Sequence, residues 1–177
     1  MNCACLFWIY FNGRYAKSMD LPITQTITGV IIVDHGSRRE ESNAMLLQVV
    51  DAYRKQARWQ IVEPAHMEIA EPSIATAFDR CIEQGAKRVV VMPYFLLPGK
   101  HWHQDIPALT AQAAAKYQGP GVGPGVTYLV TAPLGLSSEI HKIIDNRINE
   151  CIDCVDGQLP ECDLCAGTGR CLNWQKA

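Results

Sequence analysis

The fold class this sequence predicts is α/β, a single parallel-sheet domain with a cysteine-rich C-terminal tail, and three observations predict it. Short, continuously apolar, mostly β-branched runs (Val30-Ile31-Ile32-Val33, Val89-Val90-Val91-Met92 and residues 126–130) have the composition of strands buried on both faces. A segment with helical spacing follows each run, and glycine or proline marks the joints. Strand alternating with helix implies a parallel sheet covered on both sides. A length of 177 residues with 48% hydrophobic content suits one compact domain with short appendages.

The elements follow in order. The first strand stops at Asp34-His35-Gly36. Leu46, Val49, Val50, Tyr53 and Ala57 then recur at helical spacing, with Glu40 and Glu41 opening the segment and Arg54, Lys55 and Arg58 closing it, as the helix dipole favours. Residues 61–69 form the second strand candidate, interrupted by Pro64. Pro72 sits at the first turn of a helix that stops at Gly85. The third strand, 89–92, runs into a loop carrying Lys100, His101, Trp102 and His103, and a helix is predicted from about Asp105 to Tyr117. The tandem Gly-Pro-Gly-Val of residues 119–126 is too short to be a repeat architecture and is expected as a surface turn. The fourth strand covers 126–130 and the fourth helix 137–149, with Ser137 or Ser138 as cap. This divides the chain into an extension at 1–28, the α/β domain at 29–150 and the tail at 151–177.

Charge and hydropathy remove several function classes. Sixteen basic against 18 acidic side chains, with no dense basic block, argue against a dedicated nucleic-acid binder. No apolar run approaches the roughly 20 residues needed to span a bilayer. The apolar stretch from Cys5 to Phe11 precedes Arg14 and Lys17, the reverse of a secretory signal, and residues 1–28 are poorer in serine and arginine than a transit peptide would be. They are expected to be poorly ordered.

In open parallel sheets, ligands bind beyond the carboxyl ends of the strands. That directs attention to His35 and His101, each on a loop that follows a buried strand. Such an imidazole can ligate a borderline metal or accept a proton near neutrality; the plainer alternative is a strand-end hydrogen bond. His66, within a strand, and His141, on a helix, are expected to be structural or surface residues, and His103 stands apart from the pair. Ser37 is followed by Arg38-Arg39 rather than completing Gly-x-Ser-x-Gly, so a nucleophile elbow is not supported. Phosphohistidine chemistry would want an arginine where Asp34 stands.

Three segments together resemble a known family: Val33-Asp34-His35-Gly36-Ser37-Arg38, Met67-Glu68-Ile69-Ala70-Glu71-Pro72-Ser73-Ile74, and residues 93–101 with Asp105-Ile106-Pro107. They resemble the small class II tetrapyrrole chelatases, in particular the plant-type sirohydrochlorin ferrochelatases, over roughly residues 29–171. The resemblance implies a chelatase-like (Rossmann-like) sheet and a lyase that inserts Fe(II) into sirohydrochlorin to give sirohaem, releasing two protons. It implies His35 and His101 as the residues facing the metal, with Glu68 or Glu71 in the matching acidic segment as a shuttle for metal or protons; a helix-start role for Glu71 competes. It further implies a homodimer with the site between subunits, and work in the chloroplast stroma unless the N-terminus is that of a cytoplasmic form.

The chemistry fits these residue types. Neutral imidazoles ligate iron and take protons, and a carboxylate balances charge. A macrocycle bearing eight carboxylates calls for cations, and Arg38, Arg39 and Lys100 flank the two histidines. Tyr94, Phe95, Leu96 and Trp102 are candidates to pack on the ring, with core packing as the alternative for Tyr94 and Phe95. Two other readings compete: cobalt insertion, because imidazole does not choose sharply between the metals, and a tetrapyrrole or metal carrier without turnover.

The sequence has eight cysteines, five of them between Cys151 and Cys171, and only Cys81 lies in the body, so a disulfide framework is not expected. Cys151-x2-Cys154-x7-Cys162-x2-Cys165-x5-Cys171 is a strong metal-site signal. Two Cys-x2-Cys pairs make a complete zinc tetrathiolate. The family resemblance implies instead a [2Fe–2S] cluster held by Cys162, Cys165 and Cys171, with Cys151 or Cys154 as the fourth ligand.

Overall fold

The computed structural model describes residues 26–119 and 125–167. Its element order is β1 (Thr28–Asp34), α1 (Glu40–Arg54), β2 (Ile61–His66), α2 (Ile74–Glu83), β3 (Arg88–Pro93), a π-helical turn (His101–Asp105), α3 (Ile106–Ala115), β4 (Thr127–Val130) and α4 (Ser138–Val155). The four strands form one parallel sheet in the order β2-β1-β3-β4. The reversal of strand order lies between β1 and β3, which opens a crevice at their carboxyl ends, where His35 and His101 lie.

The period-2 alternation of β1 divides the core. Ile31 and Val33 face Val89, Val91, Phe78, Ile106 and Ala113 under α2 and α3, while Val30 and Ile32 face Val62, Leu46 and Val50 under α1. Helix α2 approaches β1 closely at Gly29, where a Cβ would lie 2.9 Å from the Cβ and Sγ of Cys81. Burial pushes the Cys81 thiol up to about 12, so this cysteine is a neutral packing residue.

Several boundaries differ from expectation. β2 ends at His66 rather than Ile69, and Pro64 is tolerated because β2 is an edge strand. The loop expected around Lys100–His103 is instead a π-helical turn that leads directly into α3. α4 continues to Val155, so Cys151 and Cys154 belong to its last turns rather than to a tail after it. No residue of α4 is buried, and Ile143, Ile144, Ile148 and Ile152 are half exposed. Residues 1–25, part of the Gly-Pro-Gly-Val turn and Cys171 lie outside the described residues. Among the described residues no helix is long and apolar enough to cross a membrane.

Candidate active site

The strand tips carrying the first histidine are laced together by backbone hydrogen bonds. Met67 N–H donates to the Asp34 carbonyl (2.8 Å) and Glu68 N–H to the His35 carbonyl (3.2 Å). Gly36 has φ +82°, and a Cβ there would fall 2.0 Å from the Glu68 carbonyl oxygen, so this close approach requires glycine. Beyond it, Ala70 N–H donates to the Glu68 carbonyl at 2.8 Å across Ile69, whose φ is +72°. This is a γ-turn in the left-handed region, strained for a β-branched residue. It brings a Glu68 carboxylate oxygen to 3.0 Å from His35 Nε2.

The other histidine comes from the π-helical turn. There His101 Nδ1 donates to Asp105 Oδ2 at 2.7 Å, one turn along. His35 Nδ1 donates to the Gly36 carbonyl at 3.1 Å. Neither a carbonyl nor a carboxylate can donate, so Nδ1 is the protonated nitrogen of a neutral His101 and its Nε2 keeps a lone pair, whereas His35 faces an acceptor at both nitrogens, the Gly36 carbonyl at Nδ1 and Glu68 at Nε2. The ring centroids of His35 and His101 are 5.1 Å apart, and Phe95 lies 6.4 Å from His101. Both histidines are about half exposed. Ile69, Tyr94, Leu96, Leu97 and Leu136 are exposed on the strand-end loops, Leu136 at 96%. Among the described residues no three His, Cys, Asp or Glu side chains close on one metal ion, so His35, His101 and Glu68 form an open, incomplete set of donors.

The other predicted residues are placed as follows. Arg38, Arg39 and Lys100 are exposed on the two histidine-bearing loops, Arg39 with its Nε 3.8 Å from Glu41. Glu71 does not join the histidines: its carboxylate accepts from Ser73 N–H (2.7 Å) and the Thr76 hydroxyl (2.9 Å), and these bonds, the Ser73 N–H foremost, hold it below the usual carboxylate range. Trp102 is turned to the sheet, its Nε1 donating to the Thr131 carbonyl at 2.8 Å, and the His103 ring lies tilted against it.

Sequence reasoning gave no role to Asp105 and Asp34. The His-x3-Asp spacing of 101–105 on a helical turn is the signal for the first. The second needs the strand register: Asp34 pairs with His66, which is 0% exposed and whose Nδ1 lies 2.6 Å from Asp34 Oδ1.

Cys151, Cys154, Cys162 and Cys165 face one pocket with Glu161. Cys165 N–H donates to the Cys162 carbonyl (3.1 Å), Arg147 makes a two-pronged ion pair to Asp163, and the Cys162 thiol is held below its ordinary value, chiefly by the backbone N–H groups of Cys165 and Leu164. These soft donors with a lowered thiol fit a thiolate-bound metal centre in kind, although the four sulfurs are not closed to ligand distances.

The profile of the CbiX family matches residues 29–151. The chain is 53% identical over 143 residues to the chloroplastic sirohydrochlorin ferrochelatase of Arabidopsis thaliana, covering 81% of this chain and 61% of that protein. It is 41% identical over 80 residues to the sirohydrochlorin cobaltochelatase of Methanocaldococcus jannaschii, covering 45% of this chain and 56% of the relative. The chain thus spans about three-fifths of the length of these relatives. Among solved structures, the sirohydrochlorin chelatase SirB of Bacillus subtilis subspecies spizizenii in complex with cobalt aligns with a TM-score of 0.63 and 28% identity, over 69% of this chain and 50% of that one. A CbiX protein from Marinobacter aquaeolei aligns with a TM-score of 0.58 and 25% identity, over 71% of this chain and 98% of that one.

Proposed function

The chain belongs to the CbiX family, and from that premise we propose that it is a sirohydrochlorin ferrochelatase, a lyase that inserts Fe(II) into sirohydrochlorin and releases two protons. The observation that carries this reading is that His35 meets both His101 and Glu68 at the carboxyl edge of the sheet, with each imidazole bonded at Nδ1. Such an open set would offer a hydrated divalent metal imidazole nitrogen and carboxylate oxygen without enclosing it, as a metal that must leave into a substrate requires. Fe(II) is the substrate metal. As the macrocycle takes it, two pyrrole protons need acceptors, and the imidazole Nε2 atoms and the Glu68 carboxylate are the bases at hand. Ile69, Leu96, Leu97 and Leu136 offer apolar surface to the ring, and Arg38, Arg39 and Lys100 offer cations to its carboxylates.

Cobalt insertion is the second reading, favoured by the cobaltochelatase names among the relatives and the cobalt in the Bacillus structure. Anaerobic incubation with sirohydrochlorin and Fe(II) or Co(II), followed by the macrocycle's visible spectrum, tests both. Insertion of Fe(II) above the spontaneous rate, lost in His35→Ala, is the expected result. Tight macrocycle binding with no acceleration by either metal would replace the enzyme by a carrier.

A homodimer is part of the proposal, supported by the half-exposed histidines, the uncovered apolar face of α4, and coverage of only half of the Bacillus chain. Light scattering of the eluted protein should give twice the chain mass. A chloroplast location is supported by the Arabidopsis relative's name. The cysteine pocket is proposed to hold a [2Fe–2S] cluster on Cys162, Cys165, Cys171 and either Cys151 or Cys154, the alternative being zinc on Cys151, Cys154, Cys162 and Cys165. A bound cluster would supply one-electron redox chemistry; these cysteines and the Arg147–Asp163 ion pair would hold it beside α4.

A further inference from the structure

We infer that His66 is a positioning residue for His35, acting through Asp34 and the Gly36 peptide. This rests on the reading of His35 as a ligand of the substrate metal. β2 is buried along its whole length, and an apolar side chain would fill the place of His66 without leaving a polar atom stranded. The ring is instead completely buried, and its Nε2 has no hydrogen-bond partner among the described residues. Among the described residues its one polar side-chain contact is Nδ1 to Asp34 Oδ1, at 2.6 Å. The same Asp34 oxygen accepts the Gly36 N–H at 2.9 Å.

The consequence falls on His35. His101 is oriented directly by a carboxylate, Asp105. His35 has no such partner at Nδ1, which donates instead to the Gly36 carbonyl. That carbonyl belongs to a residue in the left-handed region whose N–H is tied to Asp34 on one side. On the other side Ser37 N–H donates to Asn43 Oδ1 (2.9 Å), and Asn43 Nδ2 donates to the Ser37 carbonyl (2.9 Å). Asn43 locks the outer half of the turn, and Asp34, held by His66, locks the inner half. The buried imidazole thereby plays, at one remove, the part that outer-shell partners of metal-binding histidines play.

The test uses the full chain and four variants. His66→Phe keeps the volume and removes the donor, His66→Asn keeps a donor at the Nδ1 position, Asp34→Asn keeps an oxygen that accepts both bonds, and Asp34→Ala keeps neither. Expected for His66→Phe is a fall in kcat of about tenfold or more with the sirohydrochlorin KM within about twofold, and return to within about threefold of wild type in His66→Asn and Asp34→Asn. A folded His66→Phe with wild-type kcat, or a His66→Asn as slow as His66→Phe, would overturn the inference. Should His66→Phe fail to fold, Asp34→Ala decides: slow turnover with unchanged KM supports the inference and wild-type turnover overturns it. Should the wild type insert neither metal, the chelatase reading fails on its own, and Co(II) binding decides the positioning. The part of the visible Co(II) absorption that His35→Ala abolishes should then titrate about tenfold more weakly in His66→Phe, and equal affinity would overturn the inference.

Discussion

His35 Nε2 stands 3.0 Å from a carboxylate oxygen of Glu68, although the two residues come from the ends of different strands. Because His35 Nδ1 donates to the Gly36 carbonyl, a neutral imidazole would set two acceptors against each other. Only a cation between them, or a proton on Nε2, makes the contact favourable. On the proposed chemistry the pair would hold either a metal or a proton, the two species that would exchange places during insertion.

Glu68→Gln separates the charge from the shape. The amide NH2 can donate to His35 Nε2, which occupies the lone pair a metal would need. Insertion should slow about 10–100-fold with little change in sirohydrochlorin affinity, read by anaerobic single-turnover absorbance and by macrocycle titration. A rate within about twofold of wild type would place Glu68 outside the metal's path.

Gly36→Ala tests the lacing of β1 to β2. Alanine would take a left-handed φ and put its Cβ 2.0 Å from the Glu68 carbonyl oxygen. A left-handed non-glycine residue alone costs on the order of 1–3 kcal/mol, and the clash adds to it. Thermal melts should fall by several degrees, about 2–4 °C per kcal/mol for a chain of this size. Gly99→Ala, where a Cβ would meet nothing within 4 Å, is the matched control and should leave the melt unchanged.

The parts of this fold written in local composition were legible in the sequence. The β-branched runs at β1 and β3 become central strands, and Ser137, one of the two serines expected to cap α4, does so. His35 and His101 were legible because both follow such runs. What escaped depends on register or on backbone geometry without a side-chain signature. The pairing of Asp34 with His66 appears only once β1 and β2 are aligned, and the γ-turn at Ile69 puts a β-branched residue where composition would ask for glycine. The π-helical turn at His101 is invisible for the same reason, since no residue type in it marks such a turn. Glu71 and Trp102 were assigned by neighbourhood along the chain, whereas their side chains turn to α2 and to β4.

The acid limb of the stability curve should report Glu71. Its carboxylate is held below the ordinary 4.5, first by the Ser73 N–H and then by the Thr76 hydroxyl. A carboxylate depressed in the folded state contributes stability that is present above its unfolded value and lost as pH falls through the folded value. Glu71→Gln should therefore melt below wild type at neutral pH, with the gap constant down to about pH 5 and closing below the ordinary value. Ser73→Ala, which removes the cap on Thr76 N–H, should cost about 1 kcal/mol, by urea titration. A Glu71→Gln gap that persists unchanged at pH 3 would show that shape, not charge, is what α2 uses.

Cys165→Ser addresses whether the cysteine pocket and the histidine site work together. Cys165 is buried in the turn that follows α4, and its N–H donates to the Cys162 carbonyl, a backbone bond that serine preserves. The substitution removes one soft donor while leaving the Arg147–Asp163 ion pair that fastens this segment to α4. The histidines sit on loops after β1 and β3, and no element pair with substantial contact joins α4 to either strand. Aerobic absorption bands of a bound cluster should therefore vanish, while Fe(II) insertion stays within about threefold of wild type, since effects at distant sites without shared partners are close to additive. Loss of insertion in a variant that keeps its far-ultraviolet dichroism would mean that the pocket reaches the histidine site, and its most direct route would be through α4 of a second subunit.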